Sequence, residues 1–110
     1  MDIRIDKNHN DERTFVSVKG EIDLFTAPKL KEELLPFVDK QNHSLIVSLK
    51  GVSYMDSTGL GVFVGLFKQI NQNNGQFKLV DLSERLERLF QITGLNNIID
   101  ISSKSEGGVQ

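Results

Sequence analysis

Asp56, Ser57 and Thr58 stand together in VSYMDSTGLG, residues 52 to 61, with Gly59 and Gly61 just behind them. An acid, two hydroxyls and two glycines between a strand-like and a helix-like apolar run can do four kinds of chemistry. A serine between glycines is the arrangement of a hydrolase nucleophile elbow, G-x-S-x-G, where a strained turn brings backbones close together. Here Met55 holds the place of the first glycine, and the histidines, His9 and His43, both precede Ser57, whereas the hydrolase order puts the base last. Both histidines read as solvated turn residues, so a nucleophilic Ser57 lacks its turn and its base. The second chemistry is phosphate cradling. Gly59, Gly61 and Gly65 come close to G-x-G-x-x-G, and Asp81 follows at a strand end. The third glycine is one residue late, one small domain offers no second half to hold a dinucleotide, and no G-K-[ST] occurs. A small nucleotide- or ligand-binding module built on the Gly59-Gly61 turn stays open as the alternative.

The third possibility is structural, because Asp56, Ser57 and Thr58 are all favoured helix N-caps. It accounts for one cap and leaves three capping residues and two glycines on a single turn unexplained. The fourth makes Ser57 a substrate. A phosphate adds about −1.5 to −2 charges near neutral pH. Free backbone N–H groups at a helix start can receive it without unfolding the helix. Asp56, and Asp23 from the segment GEID, would then render the surface strongly negative, hostile to a partner shaped for a neutral serine.

The elements that must position this turn follow from periodicity. Ile3 and Ile5, then Phe15, Val16 and Val18, mark two short strands joined by the polar link KNHNDER, an antiparallel hairpin with a longish loop. Thr26 precedes Ala27-Pro28 as an N-cap with proline in the first turn. Leu30, Leu34, Phe37 and Val38 carry that helix on, and Pro36 is expected to kink or shorten it. LIVSL, residues 45 to 49, is the run of a central strand buried on both faces. Phe63, Val64, Phe67 and Ile70, thickened by Val62 and Leu66, form one face of a largely buried helix that Asn73-Asn74-Gly75 ends. QFKLVD is a strand, Ser83 caps a helix carrying Leu86, Leu89 and Phe90, Gly94 stops it, and NIIDI adds a last strand. The order β-β-α-β-α-β-α-β predicts an α/β domain with a mixed, mostly parallel sheet, and it puts residues 52 to 61 at the carboxyl end of the central strand, where ligands and partners meet such sheets.

Composition narrows the classes. A chain of 110 residues with 38% hydrophobic and 25% charged residues is an ordinary globular domain. With a net charge of −2 and cations scattered among acids, it has no footprint for nucleic-acid backbones. The absence of cysteine removes disulfides, thiolate catalysis and cysteine zinc sites. The charged start and the lack of a long apolar run speak against a signal peptide or membrane span, and a cytoplasmic location is expected. No metal cluster, cofactor motif or catalytic base is apparent, so a binding protein rather than an enzyme is expected.

Two motifs then carry a resemblance. VKGEIDLFTAPKLKEEL and GVSYMDSTGLGVFV resemble the G-E-[IL]-D strand end and the D-S-[ST]-G phosphorylation turn of the anti-sigma factor antagonists, single STAS domains, most closely the RsbV type that regulates sigma-B. The resemblance spans about residues 2 to 103, taken as the domain, with 104 to 110 a frayed tail. It implies the SpoIIAA-like fold and a partner-switching protein without cofactor. The unphosphorylated form binds an anti-sigma factor that is also a serine kinase, of RsbW type, and so frees the sigma factor. The kinase phosphorylates the antagonist, and a PP2C-type phosphatase restores it. Carried onto this chain, the resemblance makes Ser57 the phosphoacceptor, with Asp56, Thr58 and Gly59 completing the turn and Asp23, with Gly20 and Glu21, beside it as partner interface.

Overall fold

Alternation of apolar and polar residues sets the sheet. A computed structural model describes residues 2–102. In β2 (Arg13–Ile22) the buried Thr14, Val16 and Val18 alternate with the more open Phe15, Ser17 and Lys19, the period of a strand covered on one face. It pairs antiparallel with β1 (Ile3–His9) and parallel with β3 (Ser44–Met55). Beyond β3 lie β4 (Gln76–Val80) and the short β5 (Asp100–Ser102), both parallel, giving the strand order β1-β2-β3-β4-β5. From β2 onward every crossover steps one strand in the same direction. With connections of one hand, α1 (Ala27–Val38), α2 (Ser57–Gln72) and α3 (Glu84–Thr93) fall on one face. The expected element order holds, and no helix among the described residues is long and apolar enough to cross a membrane.

One core joins the helices to that face. Val16, Val47 and Leu79 stand side by side across β2, β3 and β4 and meet Leu30, Leu34, Phe63, Leu66 and Phe90 from above. The row on the opposite side, Phe15, Ile46 and Lys78, is open or only half-buried. The central strand is therefore not buried on both faces as its apolar run suggested. Ser48, its one other covered residue on this side, is satisfied by Asp81, whose Oδ2 accepts its hydroxyl at 2.8 Å.

Several local expectations shift. The hairpin loop is only residues 10 to 12, because β1 continues through polar Lys7 and His9 as an edge strand. Asn10 closes it, its Oδ1 accepting from the N–H groups of Glu12 and Arg13. Helix α1 runs through Pro36 to Val38. The carbonyl that proline leaves unpaired belongs to Glu32 on the exposed side, where water can serve it. In α2 the buried seam is Leu60, Phe63, Leu66 and Ile70, while Val64 and Phe67 are half-buried and Gly61, Gly65 and Lys68 face outward, so this helix is less buried than expected. Ser83 caps α3 and Gly94 ends it, as expected. The last strand starts at Asp100 rather than Asn97, since Leu95–Asn97 form a 3-10 turn. The tail expected at 104 to 110 lies outside the described residues.

His43 is a clear correction: it is 1% exposed, not solvated. Its Nε2 shares a 2.6 Å hydrogen bond with buried Thr14, and its ring stacks on Phe37. Burial first, and the positive charge of Lys40 second, hold its pKa below the ordinary 6.5. The folded state thus prefers neutral His43. The resulting stability is complete above pH 6.5 and is lost as the pH falls through the lower folded value. Thermal unfolding followed from pH 8 to pH 5 is expected to show this loss. His43→Gln, which can still bond Thr14 and does not titrate, is expected to flatten it.

Candidate functional site

The site exists because β2 and β3 run parallel with Ile22 opposite Met55. The next residue of each strand is an aspartate, so Asp23 and Asp56 emerge side by side at the carboxyl edge, and the Asp56 N–H donates to the Ile22 carbonyl at 3.1 Å. The two carboxylates do the same local work. Asp23 Oδ1 accepts from the N–H groups of Phe25 and Thr26 at 2.9 and 3.0 Å. Asp56 Oδ1 accepts from those of Thr58 and Gly59 at 2.9 and 3.1 Å. Each satisfies backbone donors that a chain turning from strand into helix leaves unpaired.

Of the three capping candidates, Asp56 is the cap. Ser57 is the first helical residue, exposed, with no internal partner for its hydroxyl. Thr58 is half-buried and lines the groove between α1 and α2. Two of the helix's first N–H groups are already taken by Asp56, so a phosphate on Ser57 would stand outward next to a carboxylate rather than settle onto a vacant helix end. At the other turn Thr26 does not cap α1 with its side chain. Its Oγ1 accepts from the Asp23 N–H and donates to the Glu21 carbonyl, while Asp23 ties the turn that precedes the helix. That work places Asp23 at 5% exposure, so it does not add to an exposed acidic surface as expected.

The glycines serve packing. A Cβ on Gly59 would lie 2.6 Å from Ile22 Cγ2 and 2.9 Å from Met55 Cγ, so only glycine lets α2 start this close to the strand ends. Gly20, the glycine of GEID, has φ +107° and a carbonyl of β1's approach, Asp2, only 2.3 Å from where its Cβ would be. It sits at the second of two register shifts between β2 and β3, after which pairing resumes with Glu21 opposite Tyr54 and Ile22 opposite Met55. Gly59, Gly61 and Gly65 all lie at or inside the helix, with open space around the last two. No loop precedes the helix to cradle a phosphate, and Asp81 is engaged with Ser48. The structure does not assemble the dinucleotide arrangement.

What the sequence did not single out is apolar. Leu24 and Phe25, in the turn after Asp23, and Tyr54, near the end of β3, are 63%, 78% and 46% exposed and line one groove beside the two aspartates. The available signal was LF in DLFTAP, two large apolar residues that fit neither the strand's period nor the helix's.

The chain as a whole has known counterparts. The sequence model of the STAS domain matches residues 4–107. The chain belongs to the STAS-domain family. It is 56% identical over 110 residues, all of both chains, to the anti-sigma-B factor antagonist of Bacillus subtilis strain 168. It is 49% identical over 104 residues, 94% of this chain and 91% of the relative, to the protein of that name in Listeria monocytogenes. Among solved structures, that of an anti-sigma factor antagonist from Mycobacterium paratuberculosis superposes with a TM-score of 0.85 at 25% identity, over 96% of this chain and 90% of the other.

Truncating the cap by Asp56→Ala is expected to cost about 1 kcal/mol. That is a fall of several degrees in Tm for a domain of this size. Gly59→Ala overpacks the turn and is expected to cost about 1 to 3 kcal/mol. Gly61→Ala, in open space two residues on, is expected to gain about 0.5 to 1 kcal/mol. Thermal melts of the three variants check this ranking.

Proposed function

We propose that this STAS domain, residues 2–103, is an anti-sigma-B factor antagonist that works by binding and by being modified, not by catalysis. In its unphosphorylated form it binds the anti-sigma factor, an RsbW-type serine kinase, and so frees sigma-B for RNA polymerase in the cytoplasm. Phosphorylation of Ser57 by that kinase ends the association, and a PP2C-type phosphatase restores it. The observation that carries this reading is the division of labour at the turn: Asp56 caps the helix, which leaves the Ser57 hydroxyl exposed and unpaired at its first residue. The names of relatives at 56% and 49% identity support it.

The switch follows from charge and hydration. A contact closing over Ser57 meets a small neutral hydroxyl. After modification it meets a group of about −1.5 to −2 charges beside Asp56, which must be stripped of water or held out. Each 1.4 kcal/mol of that penalty is a tenfold loss of affinity, so a few such steps turn a stable complex into a dissociated one. Thr58, half-buried, and Gly59, packed on Ile22, shape the turn that presents the serine.

With the cognate anti-sigma kinase and ATP, one phosphate is expected on Ser57 by mass mapping. Ser57→Ala should take up none and keep the kinase bound, Ser57→Asp should bind weakly, and Thr58→Ala should still be phosphorylated. Undiminished phosphorylation of Ser57→Ala would refute the assignment.

A further inference from the structure

The groove beside the phosphorylation turn is not used in the switch just described, since Ser57 does not line it. Its volume is about 560 Å³. Leu24, Phe25 and Tyr54 form its apolar surface, and these are half of the six large hydrophobic side chains that the described residues expose. Such clustering marks an interaction surface, where scattered exposure would not. Aromatic residues at the centre of a contact carry a disproportionate share of binding energy.

The remaining walls are acidic. Glu21, Asp23 and Asp56 all contribute, and no lysine or arginine among the described residues lines the groove. Asp23 adds a sharper sign. Its Oδ1 accepts two backbone N–H groups, while its Oδ2 is buried without any hydrogen-bond partner. A carboxylate oxygen shut away from water with no donor is costly, and such a group calls for a donor from elsewhere. The inner side of the turn has used its donors on Oδ1. Asp23 lines the groove, so a donor seated there stands on its side of the turn.

A guanidinium matches all these features at once. Its planar fork donates to carboxylates in pairs, its weakly hydrated face stacks on aromatic rings, and its charge complements three acidic walls. We infer that the groove of Leu24, Phe25 and Tyr54 is a docking anchor for a basic side chain, an arginine by its fit, presented beside an apolar residue by the anti-sigma kinase. This rests on the function proposed above and adds a division within the surface: the groove holds the kinase, while Ser57 decides whether the rest of the contact can close. A positive anchor does not disfavour phosphoserine, so discrimination belongs to the helix start and affinity to the groove.

The test uses the full chain and the cognate kinase in titration calorimetry, with Ser57→Ala as the reference. The double variant Phe25→Ala/Tyr54→Ala is expected to bind at least about tenfold more weakly. Phe25→Ala alone, at a side chain 78% exposed, guards against a folding defect in the pair. Glu21→Gln is expected to weaken binding and to flatten its dependence on salt from about 0.05 to 0.3 M. In steady-state phosphorylation both changes should raise KM for the antagonist and leave kcat in place, and thermal melts that show the variants fully folded at the assay temperature separate this from destabilisation. Binding of the groove variants within about twofold of the reference, or an unchanged salt dependence in Glu21→Gln, would overturn the anchor while leaving Ser57 as the switch. If the reference itself bound no kinase, the proposed function would fail and the anchor with it.

Discussion

A helix that starts directly from a strand leaves backbone N–H groups without partners, and at the start of α2 the carboxylate of Asp56 takes two of them. Much of the site depends on that. Because aspartate caps, serine does not have to, and the hydroxyl of Ser57 stays free on the surface. Because the cap draws the turn tight, residue 59 comes within contact of Ile22 and Met55 and has to be glycine. A phosphate added to such a residue cannot be absorbed by the helix end and changes the surface instead. The same interaction that stabilises the fold thus leaves the Ser57 side chain open at the surface.

The turn after β2 repeats the solution. Asp23 and Asp56 follow a directly paired couple, Ile22 and Met55, and each accepts from the backbone two and three residues ahead. Their surroundings differ. Asp56 is half-buried beside the serine, whereas Asp23 is covered and keeps one oxygen unpaired under an exposed Leu24 and Phe25. Two carboxylates with the same local bonding therefore end in different surroundings, one beside the exposed serine and the other lining an apolar groove.

The sheet's one-sided covering suits a protein that acts by contact. All three helices pack on one face around a single core, so the strand ends form a continuous edge rather than the rim of a cleft. Small-molecule chemistry needs enclosure to exclude water, and this edge offers an open groove and an exposed helix start instead. Partner binding needs no more than that. The distant end of the molecule has a separate role, since buried His43, tied to Thr14 and stacked on Phe37, fastens the start of β3 to the start of β2.

The sequence by itself determined the element order, the antiparallel start, the caps at Ser83 and Gly94 and the turn containing Ser57, because strand period, helix period and capping chemistry are local properties. Motif spacing also located Asp23 and Asp56. Their juxtaposition needed the parallel register of β2 and β3, a non-local pairing that no window of sequence contains. Burial went the same way. LIVSL reads as covered on both sides, and His43 as a solvated turn residue, until the topology leaves one face open and closes the other end. Which of three adjacent polar residues caps α2 was likewise undecidable from type alone, since all three favour that position. The direction from which the strand enters settled it, placing Asp56 over the helix's N–H groups and turning Ser57 outward.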